Sequence, residues 1–146
     1  KYQCSIKLRL GMNEFEKKKK VYLNLIKDVD ADFFVVHAKH GKETYDDVAD
    51  WSVFEECCRT GKKIIANGDI KTTTDVEALK KFGVQGVMIG REATKNPAIF
   101  NQLRGLKIPE LSEIKREYLK IAESEKYKKN VLKYLGTELT ISDSEY

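Results

Sequence analysis

The stretch Lys63–Arg91, reading KIIANGDIKTTTDVEALKKFGVQGVMIGR, constrains this chain more than any other. Ile64-Ile65-Ala66 is a short apolar run that breaks at Asn67-Gly68-Asp69, a turn-forming triplet. A hydroxyl cluster at Thr72–Thr74 then leads into a helical pattern with Val76, Leu79 and Phe82 on one face. Gly83 stands where a helix-ending left-handed residue belongs. A second apolar run, Val87-Met88-Ile89, breaks at Gly90-Arg91. Strand, glycine turn, helix, strand and second glycine turn make a βαβ unit, which demands a parallel sheet. Both turns fall at the C-terminal ends of strands, where α/β proteins hold their ligands.

Upstream, Ser5-Ile6-Lys7-Leu8-Arg9-Leu10 alternates with period two and ends at Gly11. From Asn13 to Asp28 the spacing predicts one helix with Phe15, Tyr22, Leu25, Ile26 and Val29 inward and Lys17–Lys20 solvated. Phe33–Val36 reads as a buried strand ending in His37. A polar loop over 38–47 precedes a helix near Trp51–Arg59 with Phe54, Cys57 and Cys58 inward, closed by Gly61. Asn96-Pro97 has the pattern of a helix start, with Ile99, Phe100 and Leu103 as its apolar face. The order is four βα units, which fits a small open α/β sheet or half of an eight-stranded barrel. From Pro109 the character changes to two amphipathic helices, the first marked by Leu111, Ile114, Tyr118 and Ile121, the second by Tyr127, Val131 and Tyr134-Leu135. The second is the more basic, and the residues from Gly136 on read as a polar, acidic tail.

With 146 residues and 41% hydrophobic content, the chain can bury a core. No apolar run is long enough to span a bilayer, so no membrane role is expected. Three cysteines, two of them adjacent, argue against a disulfide scaffold and for a reducing, cytoplasmic setting. With His37 and His40 as the only histidines and no completing ligand set, no metal centre is expected. The net charge of +4 points toward an anionic partner without naming it. Because the first residue is Lys1 and a strand follows almost at once, the chain is expected to be a fragment or processed product.

Candidate chemistry gathers at the strand ends. If Ile6, Leu8 and Leu10 pack on helices, Lys7 and Arg9 face a barrel axis, where burying two cations is costly unless an anion or electron-rich ligand meets them. A solvated edge strand is the competing reading, and alternation does not choose between them. His37 ends an apolar strand, where a barrel would present it to the ligand, either as a ligand contact or as a satisfied structural histidine. The paired turns Asn67-Gly68-Asp69 and Gly90-Arg91 favour a phosphate, since glycines let backbone N–H groups approach an anion and Arg91 can add a bidentate fork. Cys4, Cys57 and Cys58 are not expected to be catalytic, and Trp51 is expected to pack.

Taken together, Ile6-Lys7-Leu8-Arg9-Leu10-Gly11, His37-Ala38-Lys39, Ala66-Asn67-Gly68-Asp69-Ile70 and Gly86–Arg91 followed by Asn96-Pro97 resemble the tRNA-dihydrouridine synthases in order and spacing. The resemblance implies half of an FMN-binding (β/α)8 TIM barrel over residues 1–106 and a short helical, tRNA-binding-like segment over 107–146. It implies cofactor contacts from Lys7, His37, Asn67, Gly68, Asp69, Gly90 and Arg91, with Lys7 near flavin N1/O2. Arg9, Lys39, Lys126, Lys128 and Lys129 would contact the tRNA substrate. FMN is the implied cofactor and NADPH the reductant, with hydride passing to C6 of a flipped-out uridine. The family's catalytic cysteine has no counterpart among these three cysteines, so no catalytic residue is expected here and the chain alone is expected to be inactive. It is expected to self-associate or to pair with an N-terminal half-barrel. The family usually carries Arg at the position of Lys39 and a small residue at that of Glu92. Two alternatives stand beside this reading. One is another FMN barrel, of the dihydroorotate or dihydropyrimidine dehydrogenase type; the other is a non-catalytic half-barrel module that binds phosphate or RNA.

Overall fold

A computed structural model of the chain describes residues 2–123. Four parallel strands form one sheet in the order β1 (Ser5–Arg9), β2 (Phe33–His37), β3 (Ile64–Asn67), β4 (Gly86–Met88). Between them run α1 (Glu14–Lys18), α2 (Val21–Asp28), α3 (Val53–Cys58) and α4 (Thr73–Lys80). Sequential parallel neighbours with intervening helices are the arrangement of half a TIM barrel. The chain divides into two compact units, the first ending at Ile89 and carrying the whole sheet. The second opens at Gly90 with α5 (Arg91–Lys95), α6 (Ile99–Leu103) and α7 (Leu111–Glu123). This division of packing falls earlier than the functional boundary expected after residue 106.

Period-two alternation sorts the strands' two faces. Leu10, Phe34, Val36, Ala38, Ile64 and Ala66 are buried and belong to a single core with Tyr22, Leu23, Ile26, Val53, Phe54, Cys57, Ile70 and Leu79 from the connecting segments. Ile6, Leu8 and Val87 pack against its edge. Burying side chains of this size stabilises the fold by about 1.5–3 kcal/mol each, which makes the helix-covered face the source of stability.

The helix expected over 13–28 is two helices. Lys20 adopts a left-handed conformation (φ 54°) and ends the first, while Asn13 caps its start by accepting from the Glu16 amide at 3.1 Å. The break directs the Lys20 ammonium and the Tyr22 hydroxyl to the Glu56 carboxylate on α3. It also leaves Phe15 69% exposed beneath the Lys19 ammonium and Leu25 47% exposed, so neither joins the core as their spacing predicts.

Helix α3 is shorter than expected and starts after Trp51. Helix α4 owes its start to a capping box: the Thr72 hydroxyl accepts from the Asp75 amide at 3.1 Å, and the Asp75 carboxylate accepts from the Thr72 amide at 2.8 Å. Gly83, at φ +90°, follows it in the left-handed conformation its position predicts. In the second unit Asn96 caps a turn by accepting from the Ala98 amide at 3.0 Å, and regular helix begins only at Ile99. Helix α7 covers the first expected tail helix. The second, with Lys126, Lys128 and Lys129, lies outside the described residues.

Candidate functional site

In a parallel sheet in register, partnered residues share a face. The pairings Arg9–His37, His37–Asn67 and Asn67–Met88 therefore form one row across all four strands at their C-terminal ends. A second row, Lys7–Val35–Ile65–Gly86, lies one layer below on the same face. This face is opposite the helix-packed core. Lys7 and Arg9 are exposed on it, and His37 and Asn67 are partly buried. Four residues expected at a ligand site from separate stretches of sequence thus stand side by side.

Their electrostatics follow from that placement. The His37 imidazole is held down to about pKa 4, first by partial burial and then by the positive charges of Arg9, Lys7 and Lys39, with Asp69 opposing weakly. At neutral pH the ring is uncharged, able to donate through one nitrogen and accept through the other. Arg9 is oriented by a bond from its Nη1 to the His40 carbonyl at 3.0 Å. His40 in turn lies between Glu14 and Glu43, 3.8 and 3.6 Å from its Nε2. Asn67 donates through Nδ2 to the Met88 carbonyl at 2.8 Å, which ties the end of β3 to that of β4.

The turn after β3 is tightly packed. Gly68 has φ +123°, and a Cβ there would come within 3.0 Å of the Ala49 Cβ and 3.2 Å of the His37 Cδ2. Only glycine allows the turn to lie this close to the histidine ring. Asp69 follows at φ 54°, a conformation that favours Asp or Asn among side-chain-bearing residues.

Lys39, a substrate contact by resemblance, is enclosed by the protein. It is 2% exposed, and its Nζ lies 3.1 Å from Asp69 Oδ2 and 3.3 Å from the Thr44 carbonyl. A buried ammonium needs such partners, and Lys39 has them within the protein. Trp51, expected only to pack, also donates through Nε1 to the Gly68 carbonyl at 2.9 Å. One signal for this was available in the sequence: a half-buried indole N–H requires an acceptor, and Trp51 is the single tryptophan of the chain.

Gly90 and Arg91 open the second unit, with Gly90 preceding the short helix α5. Glu92, unfavourable beside a phosphate unless turned away, has its carboxylate 3.4 Å from Lys95 within that helix. Of the cysteines, Cys57 is fully buried and its thiol is pushed up to about 12, chiefly by burial. Burial also raises the Cys58 thiol. Neither is poised as a thiolate or ready proton donor. Cys4 is exposed and precedes β1, at the end of the sheet away from the polar row. Among the described residues, no helix is long and apolar enough to cross a membrane.

Comparison with known proteins agrees with the motif order. The model of the dihydrouridine synthase (Dus) family matches residues 1–141. A probable tRNA-dihydrouridine synthase of Helicobacter pylori is 36% identical over 104 residues, covering 68% of this chain and 31% of that protein. The Rickettsia conorii protein described in the same words is 29% identical over 105 residues, 70% of this chain and 32% of its own length. The human tRNA-dihydrouridine(47) synthase [NAD(P)(+)]-like protein is 28% identical over 102 residues, 68% of this chain and 16% of that protein. The chain therefore aligns with between about a sixth and a third of these relatives. Its parallel βα units, its polar row at the strand ends and the match over nearly its full length place this chain in the dihydrouridine synthase family.

Proposed function

We propose that this chain is the FMN-holding C-terminal half of a tRNA-dihydrouridine synthase barrel, in which uridine of tRNA is reduced at the expense of NADPH. The observation that carries the reading is the row Arg9–His37–Asn67–Met88 with Lys7 one layer below, all on the face opposite the core. Its donor set fits an anionic, electron-rich cofactor: two exposed cations, a neutral imidazole and an amide, beside a turn packed so closely that only glycine fits. Bound FMN would supply a hydride relay between nicotinamide and the C6 of uridine.

The chain's own residues then have separable tasks. Lys7 would hold the flavin ring near N1/O2, where its positive charge would favour the reduced form. Arg9, steered by the His40 carbonyl, faces the substrate uridine or its phosphate. His37, whose pKa burial and neighbouring cations lower to about 4, positions the ligand by hydrogen bonding. Asn67, Gly68 and Asp69 form the phosphate turn. Gly90 and Arg91 take a phosphate role by chain order and family resemblance. Lys126, Lys128 and Lys129 would bind the tRNA backbone.

None of the three cysteines is placed to give the proton needed at C5 of uridine: Cys57 and Cys58 lie on α3 with thiols raised by burial, and Cys4 lies at the other end of the sheet. The chain alone is therefore expected to bind flavin without turnover. Strands β1 and β4 are the two ends of the sheet, and each would pair with a strand of an N-terminal half or of a second copy. The setting is the cytoplasm.

Flavin titration tests the reading. FMN added to the purified chain should give saturable quenching of flavin fluorescence, and Lys7→Met should weaken the affinity at least tenfold. Absence of saturable FMN binding, both by the chain and by the chain mixed with an N-terminal half-barrel, would overturn it.

A further inference from the structure

Three consecutive residues of the loop before α3 each bond to the strand ends that carry the site. The Ala49 amide donates to Asp69 Oδ2 at 2.9 Å. The Asp50 amide donates to the Ala38 carbonyl at 2.8 Å, just past β2. The Trp51 indole donates to the Gly68 carbonyl at 2.9 Å. Two ion pairs anchor this segment from either side. Asp50 pairs with Lys17 at 2.9 Å, and Asp69 pairs with the buried Lys39 at 3.1 Å. The Ala49 methyl also sits where a Cβ on Gly68 would strike it at 3.0 Å.

We propose that Ala49-Asp50-Trp51 is a clamp that sets the conformation of the Gly68-Asp69 turn, making Trp51, Lys39 and Asp69 positioning residues for the phosphate end of the cofactor. The physical need is plain. Gly68 and Asp69 both have positive φ, and a non-glycine residue held there persists only when its surroundings over-determine it. The clamp does so from two directions. Trp51 holds the carbonyl of Gly68, while Asp69 is held through its side chain by the Lys39 ammonium and the Ala49 amide. With that carbonyl turned toward the indole, the peptide between Gly68 and Asp69 has a fixed orientation before any ligand arrives. This arrangement also explains why Lys39 is buried: its charge serves the turn. The inference deepens the flavin reading and rests on it only for the identity of the ligand.

The test compares FMN with riboflavin, which lacks the phosphate. Trp51→Phe keeps an aromatic side chain, though a smaller one, and deletes the neutral indole donor, worth about a fivefold loss of affinity. FMN affinity should fall by that factor while riboflavin affinity stays within twofold. Equal losses for both ligands, or no loss for FMN, would overturn the clamp. Lys39→Met should lower FMN affinity more than Trp51→Phe, and Lys39→Arg, which keeps the charge facing Asp69, should restore most of it. That series carries the comparison if Trp51→Phe fails to fold.

Should the chain bind neither ligand, alone or mixed with an N-terminal half-barrel, the flavin reading fails and amide hydrogen exchange tests the clamp by itself. Trp51→Phe should speed exchange at Ala49 relative to Phe34, whose amide donates to the Lys63 carbonyl in the sheet. A uniform change, or none, counts against it.

Discussion

The two faces of the sheet are built from the same four strands, yet their contents differ completely. On one, Phe34, Val36, Ile64 and Ala66 are fully buried beneath the helices. On the other, β1 presents Lys7 and Arg9 in the open, and the row at the strand ends is polar through Arg9, His37 and Asn67. Only Val35 is well buried there among the aligned residues, at 4% exposure. Alternate residues one bond pattern apart thus serve separate ends: one face supplies stability, the other recognition. Substitutions should divide in the same way.

The largest effect is expected at the centre of the packed face. Phe34→Ala should destabilise the chain by about 3–5 kcal/mol, read as a lower midpoint in urea denaturation; a loss under ~1 kcal/mol would show that the core is elsewhere. Thr72→Ala, which removes the cap of α4 without touching either face, should cost about 1 kcal/mol, measured in the same way. A change as large as that of Phe34→Ala would mean that the cap also supports the sheet.

His37, in the polar row of the open face, should give a pH signature. Its folded pKa, about 4, lies below the ordinary histidine value of 6.5. Between these values the unfolded chain binds more protons, so stability rises with pH across that window and is lost as pH falls from 6.5 toward 4. His37→Asn should flatten this slope, by on the order of 1 kcal/mol once solvent screening at a partly exposed ring is allowed for. An unchanged slope between pH 4.5 and 7 would assign the acid sensitivity to other groups.

The smallest stability effect belongs to the open face. Lys7→Met should shift the denaturation midpoint by no more than about 0.5 kcal/mol even where it weakens flavin binding tenfold. A stability loss matching the binding loss would collapse the distinction between the faces.

Much of this division was legible in the sequence. The alternation from Ser5 to Leu10 assigns Ile6 and Leu8 to one side and Lys7 and Arg9 to the other, because a strand's side chains alternate strictly. The glycine turns at 67–69 and 90–91 mark strand ends because apolar runs stop there. The misreadings share a cause. The spacing from Phe15 to Val29 fits one helix, and only contact with Glu56 on a distant helix makes a left-handed break at Lys20 favourable. The burial of Lys39 was hidden because nothing near it in sequence announces Asp69, thirty residues on. The loop from Ala38 to Ala49 has no periodicity to interpret, so the bonds made at its end were invisible.

By itself, then, the sequence determined the order of the strands, their faces and the family to which the chain belongs. These follow from local periodicity, turn chemistry and motif order, each readable within a few residues. Tertiary structure alone decided that Lys39 is buried against Asp69, that Trp51 holds Gly68, and that Arg9, His37 and Asn67 share one row. Those facts depend on strand register and on partners far apart in the chain, since a buried charge or indole finds its acceptor in space, wherever the fold has brought one.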